Sequence, residues 1–297
     1  MEAKDWTLAS FEEGRSALRT WREESVRRSE ETVELWEHVL SRRPSALGDE
    51  LWVVYEQVYI AALDCARLDV AHECIQALQK KFANSHRVLK LQAMRLEAVA
   101  KYDDALSIYE PLIQRDETNA GLRKRKIAVL KAQGKTQDAI KELNEYLKKF
   151  INDNEAWLEL SHLYLAELDY SRAAHCLEEL ILAQPHNSLY LQRYADIKYT
   201  QGGLDNVELA KQYFVQAARM NTGNLRALYG VFFSSNWLAH KGSGQKRKEL
   251  VALASWAVEQ IIEKYQTDGE GNPNIEAQIK AVTHLMNSLK TSVAAAS

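Results

Sequence analysis

The sequence predicts an all-α, right-handed superhelical solenoid with helical end caps, and three observations lead there. Ala71, Ala105, Ala139 and Ala173 stand thirty-four residues apart without a break, inside stretches of helical patterning. Ser85, Asn119, Asp153 and Asn187 repeat at the same interval, and all four are residue types whose short side-chain oxygens cap new helices. The composition is 46% apolar with seven Trp and thirteen Tyr but only four Pro and twelve Gly. That is ample for a helical core and too poor in breakers for a turn-dense β protein. A methyl-sized side chain lets two helices cross closely, so one register marks crossings and the other marks helix starts.

A helix–turn–helix unit of thirty-four residues is the tetratricopeptide repeat, and each copy can bury its apolar face only against its neighbours. The best-formed copy places Trp157, Leu160, Tyr164, Ala173, Leu177 and Pro185 at the pattern positions. Residues 1–48 are expected to form an N-terminal helical cap. Phe11, Leu18, Trp21 and Val26 are loosely helical, Ser29 with Glu30 and Glu31 starts a second helix, and the register puts Glu37 where a small residue belongs. The solenoid is expected over 49–265, with its clearest repeats at 52–85, 86–119, 120–153, 154–187 and 188–224. Asp49 is positioned to cap the helix from Leu51. Turns are expected at Leu68-Asp69, Tyr102-Asp103, Gly134-Lys135 and Asp169-Tyr170, with a longer one at Gly202-Gly203 before Ala210. A sixth pair starts near Leu225 and is expected to be split by a flexible basic loop, Lys241 to Lys248. Its second helix runs near Glu249 to Tyr265. Gly269 to Pro273 ends the array. Residues 266–297 then form a capping helix and tail, with Ile275, Ile279, Val282, Met286 and Leu289 on one stripe.

Charge and chemistry narrow the function. A net charge of −3 and a pI near 6.3 leave no global positive field for nucleic acid. Cys65, Cys74 and Cys176 lack paired spacing, which points to buried thiols in a reducing compartment. The first residues lack the apolar core of a secretory signal, and the longest apolar stretch, Leu51 to Ala66, is too short and too charged to span a bilayer. There is no phosphate loop, His-Glu-x-x-His motif, paired-Cys site or nucleophile elbow. No enzyme activity, metal or cofactor is therefore expected, and His72, His162 and His175 read as ordinary core or surface side chains.

The surface expected to carry function is the concave one, lined by the first helix of each pair at its second, fifth, ninth and twelfth positions. Its candidate partner-groove residues are Val53, Ile60, Arg87, Lys90, Met94, Lys124, Lys131, Leu158, His162, Leu165 and Tyr199. They describe a cationic centre between apolar ends, suited to a segment of another protein anchored by apolar side chains and an acidic stretch. The competing reading leaves these side chains solvated or packed by the superhelix itself. Position nine reads Ile60, Met94, Ala128, His162 and Asp196, so the asparagine used by carboxylate-clamp co-chaperones is missing. The run Arg123-Lys124-Arg125-Lys126 projects around its helix and is read first as a solvated or ion-paired face. Contact with an acidic protein segment comes second and lipid headgroups third.

Several stretches resemble a known family. Trp21-Arg-Glu-Glu24, Leu47-Gly-Asp-Glu50, Tyr55-Glu-Gln-Val58, Ser85-His-Arg-Val88, Arg123-Lys-Arg-Lys-Ile-Ala128, Lys131-Ala-Gln-Gly-Lys135, Glu142-Leu-Asn-Glu-Tyr-Leu147, Cys176-Leu-Glu-Glu-Leu180, Pro185-His-Asn187 and Tyr199-Thr-Gln-Gly-Gly203 are similar to subunit 2 of the endoplasmic reticulum membrane protein complex. The similarity takes in the N-terminal pair and the irregular glycine turn. It implies a non-catalytic scaffold at the cytoplasmic face of the endoplasmic reticulum membrane, peripheral and held there by partners. The complex it implies is an insertase for tail-anchored and multi-pass membrane proteins. The implied partners are its membrane-embedded subunits, including the tail of subunit 5, and cytosolic subunit 8 or 9. The alternative is a soluble tetratricopeptide adaptor or co-chaperone outside any membrane complex. A helical-repeat subunit of a prenyltransferase is a third class, and the recurrent Asn-Tyr-x-x-Trp it needs is missing.

Overall fold

The computed structural model describes residues 6–268 and 274–295, and every regular element among them is a helix. By packing, the chain falls into two compact units, the first ending at Ala139 and the second beginning at Ile140. The first contains α1 (Phe11–Glu23), α2 (Ser29–His38), α3 (Leu51–Asp64), α4 (Leu68–Lys81), α5 (His86–Ala98), α6 (Tyr102–Arg115), α7 (Ala120–Ala132) and the start of α8 (Thr136–Lys149). The second holds the rest of α8 with α9 (Asn154–Ala166), α10 (Tyr170–Ala183), α11 (Ser188–Gln201), α12 (Leu204–Met220), α13 (Leu225–Lys241), α14 (Gly244–Asp268) and α15 (Ile275–Ala295).

Both sequence registers are realised, one of them with an exception. Ala71, Ala105, Ala139 and Ala173 are fully buried, as their place at helix crossings requires. Asn119, Asp153 and Asn187 accept from the backbone N–H of Leu122, Ala156 and Leu189 at 3.2, 3.1 and 3.1 Å. Ser85 holds the equivalent position before α5, but its side chain makes no capping bond. The expected cap at Asp49 is not formed either. Glu50 takes the cap position of α3 without capping it, and its carboxylate instead accepts from Arg15 (3.2 Å) and Arg19 on α1. Ser29 starts α2 as expected, with Glu30 and Glu31 in its first turn, and its hydroxyl donates to Asp64 at 2.7 Å. The best N-terminal cap is one the sequence reading passed over, a capping box in which Ser10 and Glu13 bond reciprocally at 3.3 and 2.9 Å. Glu37, out of place for a crossing, lies half-buried and accepts from Arg67 at 3.0 Å.

Three of the turns start earlier than expected. Leu68, Tyr102 and Tyr170 already belong to helices, because the preceding helices end on a left-handed residue. Ala66, Ala100, Gly134 and Leu168 have φ of 57, 57, 71 and 61°, a further thirty-four-residue register. After each, an N–H reaches five residues back: Arg67 to Ala62 (2.8 Å), Lys101 to Leu96 (2.8 Å), Lys135 to Leu130 (3.0 Å) and Asp169 to Tyr164 (2.9 Å). This is the Schellman arrangement, which satisfies the last carbonyls of the first helix. Ser25, with φ 55° and the Val26 N–H bonded to Trp21 at 2.9 Å, ends α1 in the same way. The turn of the N-terminal pair is thus closed in the same way as the turns of the repeats.

The flexible loop expected at Lys241 to Lys248 is instead almost wholly helical. Only Gly242 and Ser243 separate α13 from α14. Gly242 takes an extended conformation and Gly244 a φ of 63°, so the reversal needs two residues rather than eight. Lys246, Arg247 and Lys248 crowd the first five residues of α14, where no acidic residue stands in the first turn. Farther along, Ala254, Ala257, Val258 and Ile261 join Phe214, Val231, Phe232 and Met286 of α15 in one core cluster. Gly269 to Pro273 and the side chain of Leu289 lie outside the described residues.

Candidate functional site

Within each unit first helices pack beside their successors, α3 with α5 and α11 with α13, and polar side chains bond about one repeat away. In the first unit the outcome is a cavity of about 330 Å³ whose wall includes Ile60 and Leu63 of α3, Met94 and Ala98 of α5, and Ala128 and Val129 of α7. Met94 is buried and forms floor rather than rim. The charged residues at this cavity already have partners. Arg27 donates to Asp64 at 2.7 Å and Arg125 to Glu97 at 2.9 Å, and Tyr109 donates to the other oxygen of Glu97. Burial is the chief cause that pushes the Tyr109 hydroxyl far above its ordinary range, with the Glu97 bond next. Mutually neutralised ion pairs around an apolar floor fit an apolar side chain better than a charged one.

A smaller cavity of about 190 Å³ in the same unit is lined by Trp52, Val53, Phe82, Arg87 and Leu91, among others. Trp52 and Phe82 meet edge to face with ring centres 5.4 Å apart, and Arg87 is drawn onto Glu56 at 2.5 Å. Lys90 and Lys124 are half-buried and Lys131 exposed on their helices. Of the basic run, Arg123 is buried and donates to the Glu117 carbonyl at 3.2 Å. Arg125 is paired as above, and Lys126 lies 3.8 Å from Glu110. For Arg125 and Lys126 the ion-paired reading describes the outcome, while Arg123 is buried against a backbone carbonyl.

The second unit has a larger cavity of about 560 Å³, bounded by His162, Leu165, Tyr170, Leu177, Leu189, Gln192, Arg193, Asp196, Ile197 and Arg226 among others. Arg193 donates to His162 Nε2 at 2.6 Å; a guanidinium has no acceptor, so that ring nitrogen must accept. Arg226 donates to Asp196 at 2.9 Å. Gln192 is buried and polar, and it is held from both ends, donating to Asp196 at 3.2 Å and accepting from Asn224 at 2.9 Å. Two arginines face one carboxylate here, so unlike the first cavity this one keeps an excess of positive charge beside apolar walls. Leu158 is half-buried on α9. Tyr199 packs against buried residues of α12 and α13, and burial raises its hydroxyl. Arg193 and Arg226 were absent from the sequence candidates. Arg226 sits at the second position of the sixth repeat, a place the repeat register already pointed to. Arg193 sits one residue after a groove position, and nothing in the period marks it.

Among the described residues no three His, Cys, Asp or Glu are grouped to hold a metal ion, and burial pushes the Cys74 and Cys176 thiols up to about 12. Such thiols are poor nucleophiles.

Comparison with known proteins follows the same lines. The family described as the EMC2 TPR-like repeat domain matches residues 74–202. Over 283 residues the chain is 49% identical to ER membrane protein complex subunit 2-A of Xenopus laevis, covering 95% of each protein. It is 32% identical to ER membrane protein complex subunit 2 of Dictyostelium discoideum, covering 90% of this chain and 86% of that protein. Among solved structures, the C-terminal part of a TPR repeat-containing protein from Cytophaga hutchinsonii aligns with a TM-score of 0.59. That alignment covers 89% of this chain and 98% of the other at 14% identity, a likeness of fold alone.

Proposed function

Because this chain belongs to the family of subunit 2 of the endoplasmic reticulum membrane protein complex, we propose that it organises that complex by holding segments of other subunits in its first-helix cavities. Family and fold make it a scaffold or adaptor of the complex. Its finer role is to support, without catalysis of its own, an insertase for tail-anchored and multi-pass membrane proteins from the cytoplasmic face of the membrane. The membrane-embedded subunits, including the tail of subunit 5, and cytosolic subunit 8 or 9 are its partners.

The observation that carries the groove reading is the cavity at Arg193 and Arg226, which joins excess positive charge to the apolar walls of Leu165, Leu177 and Leu189. An extended segment with a carboxylate beside an apolar anchor matches it, the anchor supplying most of the affinity and the charge the register. The test is gentle detergent extraction of membranes and capture of the tagged chain, wild type beside Arg193→Glu/Arg226→Glu. Endoplasmic reticulum membrane subunits recovered in stoichiometric amount with the wild type, and depleted with the variant, are expected. Recovery of the chain alone or with soluble chaperones returns the function to a soluble adaptor, and equal recovery with both proteins refutes the cavity assignment.

A further inference from the structure

The corner between α13 and α14 carries charge that the scaffold role leaves unused. His240 and Lys241 are exposed at the end of α13, and the Lys241 ammonium lies 4.2 Å from the centre of the Trp237 ring. Lys246, Arg247 and Lys248 follow at the start of α14. Glu208 of α12 lies 2.9 Å from Lys246, and Glu249 accepts from Gln245 at 3.3 Å. Lys241, Lys246, Arg247 and Lys248 thus fall within eight residues, in a chain whose formal net charge is −3. The following turns of α14 expose Val251 and Trp256, at 39% and 40%. Lys248, Val251, Ala252 and Trp256 recur at three- and four-residue steps and so share one face of the helix.

We propose that this corner, from Trp237 and Lys241 through Lys248 to Trp256, is a contact site for a bilayer surface bearing anionic headgroups. The chemistry is that of the interfacial zone. Lysine stems reach along apolar surface to place ammonium groups among phosphates, and indole rings seat an apolar body with a polar N–H at headgroup level. An acidic peptide without apolar side chains would answer the charges but not the exposed Val251 and Trp256; a headgroup region answers both. No helix among the described residues is long and apolar enough to cross a membrane, so the contact is of the peripheral kind. Each Lys or Arg close to an anionic surface contributes about fivefold to binding, and salt screens that gain.

The test is flotation of the full chain with vesicles of phosphatidylcholine alone or with about one-third phosphatidylserine, at low and high salt. Binding is expected only to the anionic vesicles. It should fall at least tenfold in Lys241→Gln/Lys248→Gln, while Lys141→Gln/Lys148→Gln, equally charged but remote, stays near wild type. Trp256→Ser should weaken binding severalfold without changing its salt dependence, and circular dichroism melts show that each variant is folded. Absence of binding to anionic vesicles, or equal loss in both lysine pairs, overturns the proposal. So does tight binding of a polyglutamate peptide that Trp256→Ser leaves unchanged, which assigns the corner to an acidic polypeptide.

Discussion

Gly230 lies in the interior of α13, where replacing glycine by alanine ordinarily gains about 1 kcal/mol of helix propensity. Here the opposite sign is expected. A Cβ built on Gly230 would stand 2.5 Å from Cε1 and 2.6 Å from Cγ of Phe214, whereas carbon atoms sit best at about 3.5–4.0 Å. The ring must therefore retreat by roughly 1 Å. It is only 2% exposed and is enclosed by Ala210, Ala217, Ala218 and Val231, all buried in the same cluster. Overpacking of this kind costs about 1–3 kcal/mol, and the depth of overlap puts this site near the upper end. Setting the propensity gain against it leaves a net loss of about 2 kcal/mol, or roughly 3 °C in melting temperature for a chain of 297 residues. Thermal and urea unfolding of Gly230→Ala, Phe214→Leu and the double variant measure it. The smaller side chain should relieve the clash, so the two changes should couple by about 1 kcal/mol or more. A Gly230→Ala protein that melts at or above wild type, or two substitutions that simply add, refutes the packing argument.

Other consequences follow from the turns and the N-terminal charges. Leu168 occupies the left-handed position while 69% exposed, so Leu168→Gly loses little burial and relieves about 1–2 kcal/mol of backbone strain. Against the glycine entropy of the unfolded chain this leaves a gain of about 0.5–1 kcal/mol. Gly134→Ala should lose about 1 kcal/mol by the same argument, since its Cβ meets nothing within 4 Å. Opposite shifts in the urea midpoint are the expected result, and two shifts of one sign would discredit the turn assignment. Glu50 is held below its ordinary range chiefly by the hydrogen bond from Arg15, with Arg19 adding to it against a modest opposing effect of burial. A carboxyl depressed in the fold contributes stability that is present above its unfolded value of ~4.3 and lost as pH falls through the folded value. The melting difference between wild type and Glu50→Gln should accordingly be largest near neutral pH and shrink on acidification below about 4. A difference constant from pH 7 to pH 3 would assign Glu50 no such role.

Much of the architecture was legible from local signals. The alanine register predicted buried crossings because a helix crossing tolerates only a small side chain, and all four alanines are buried. Asn119, Asp153 and Asn187 cap because their oxygens reach N–H groups two or three residues away. These are short-range facts of chain geometry, and a period in the sequence carries them. The left-handed turns were legible only at Gly134. Ala66, Ala100 and Leu168 adopt the same conformation with side chains that disfavour it, because packing of the paired helices over-determines the turn and outweighs a local penalty of about 1–2 kcal/mol. Asp49 looked placed to cap the helix from Leu51, but Glu50 takes the cap position and its carboxylate is claimed by two arginines more than thirty residues earlier. Arg87 read as cationic groove lining and meets Glu56.

By itself, then, the sequence determined the period, the helix pairs, the small-residue crossings and the family, since each is written in residues close along the chain or in similarity over its length. Tertiary structure alone decided which cations keep a net charge. The first-helix cavity around Ile60 is ringed by pairs that neutralise each other, while that beside Arg193 and Arg226 holds one carboxylate for two guanidinium groups. Coulombic partnership depends on distance through space, and adjacent repeats bring together residues about thirty positions apart that no local pattern joins.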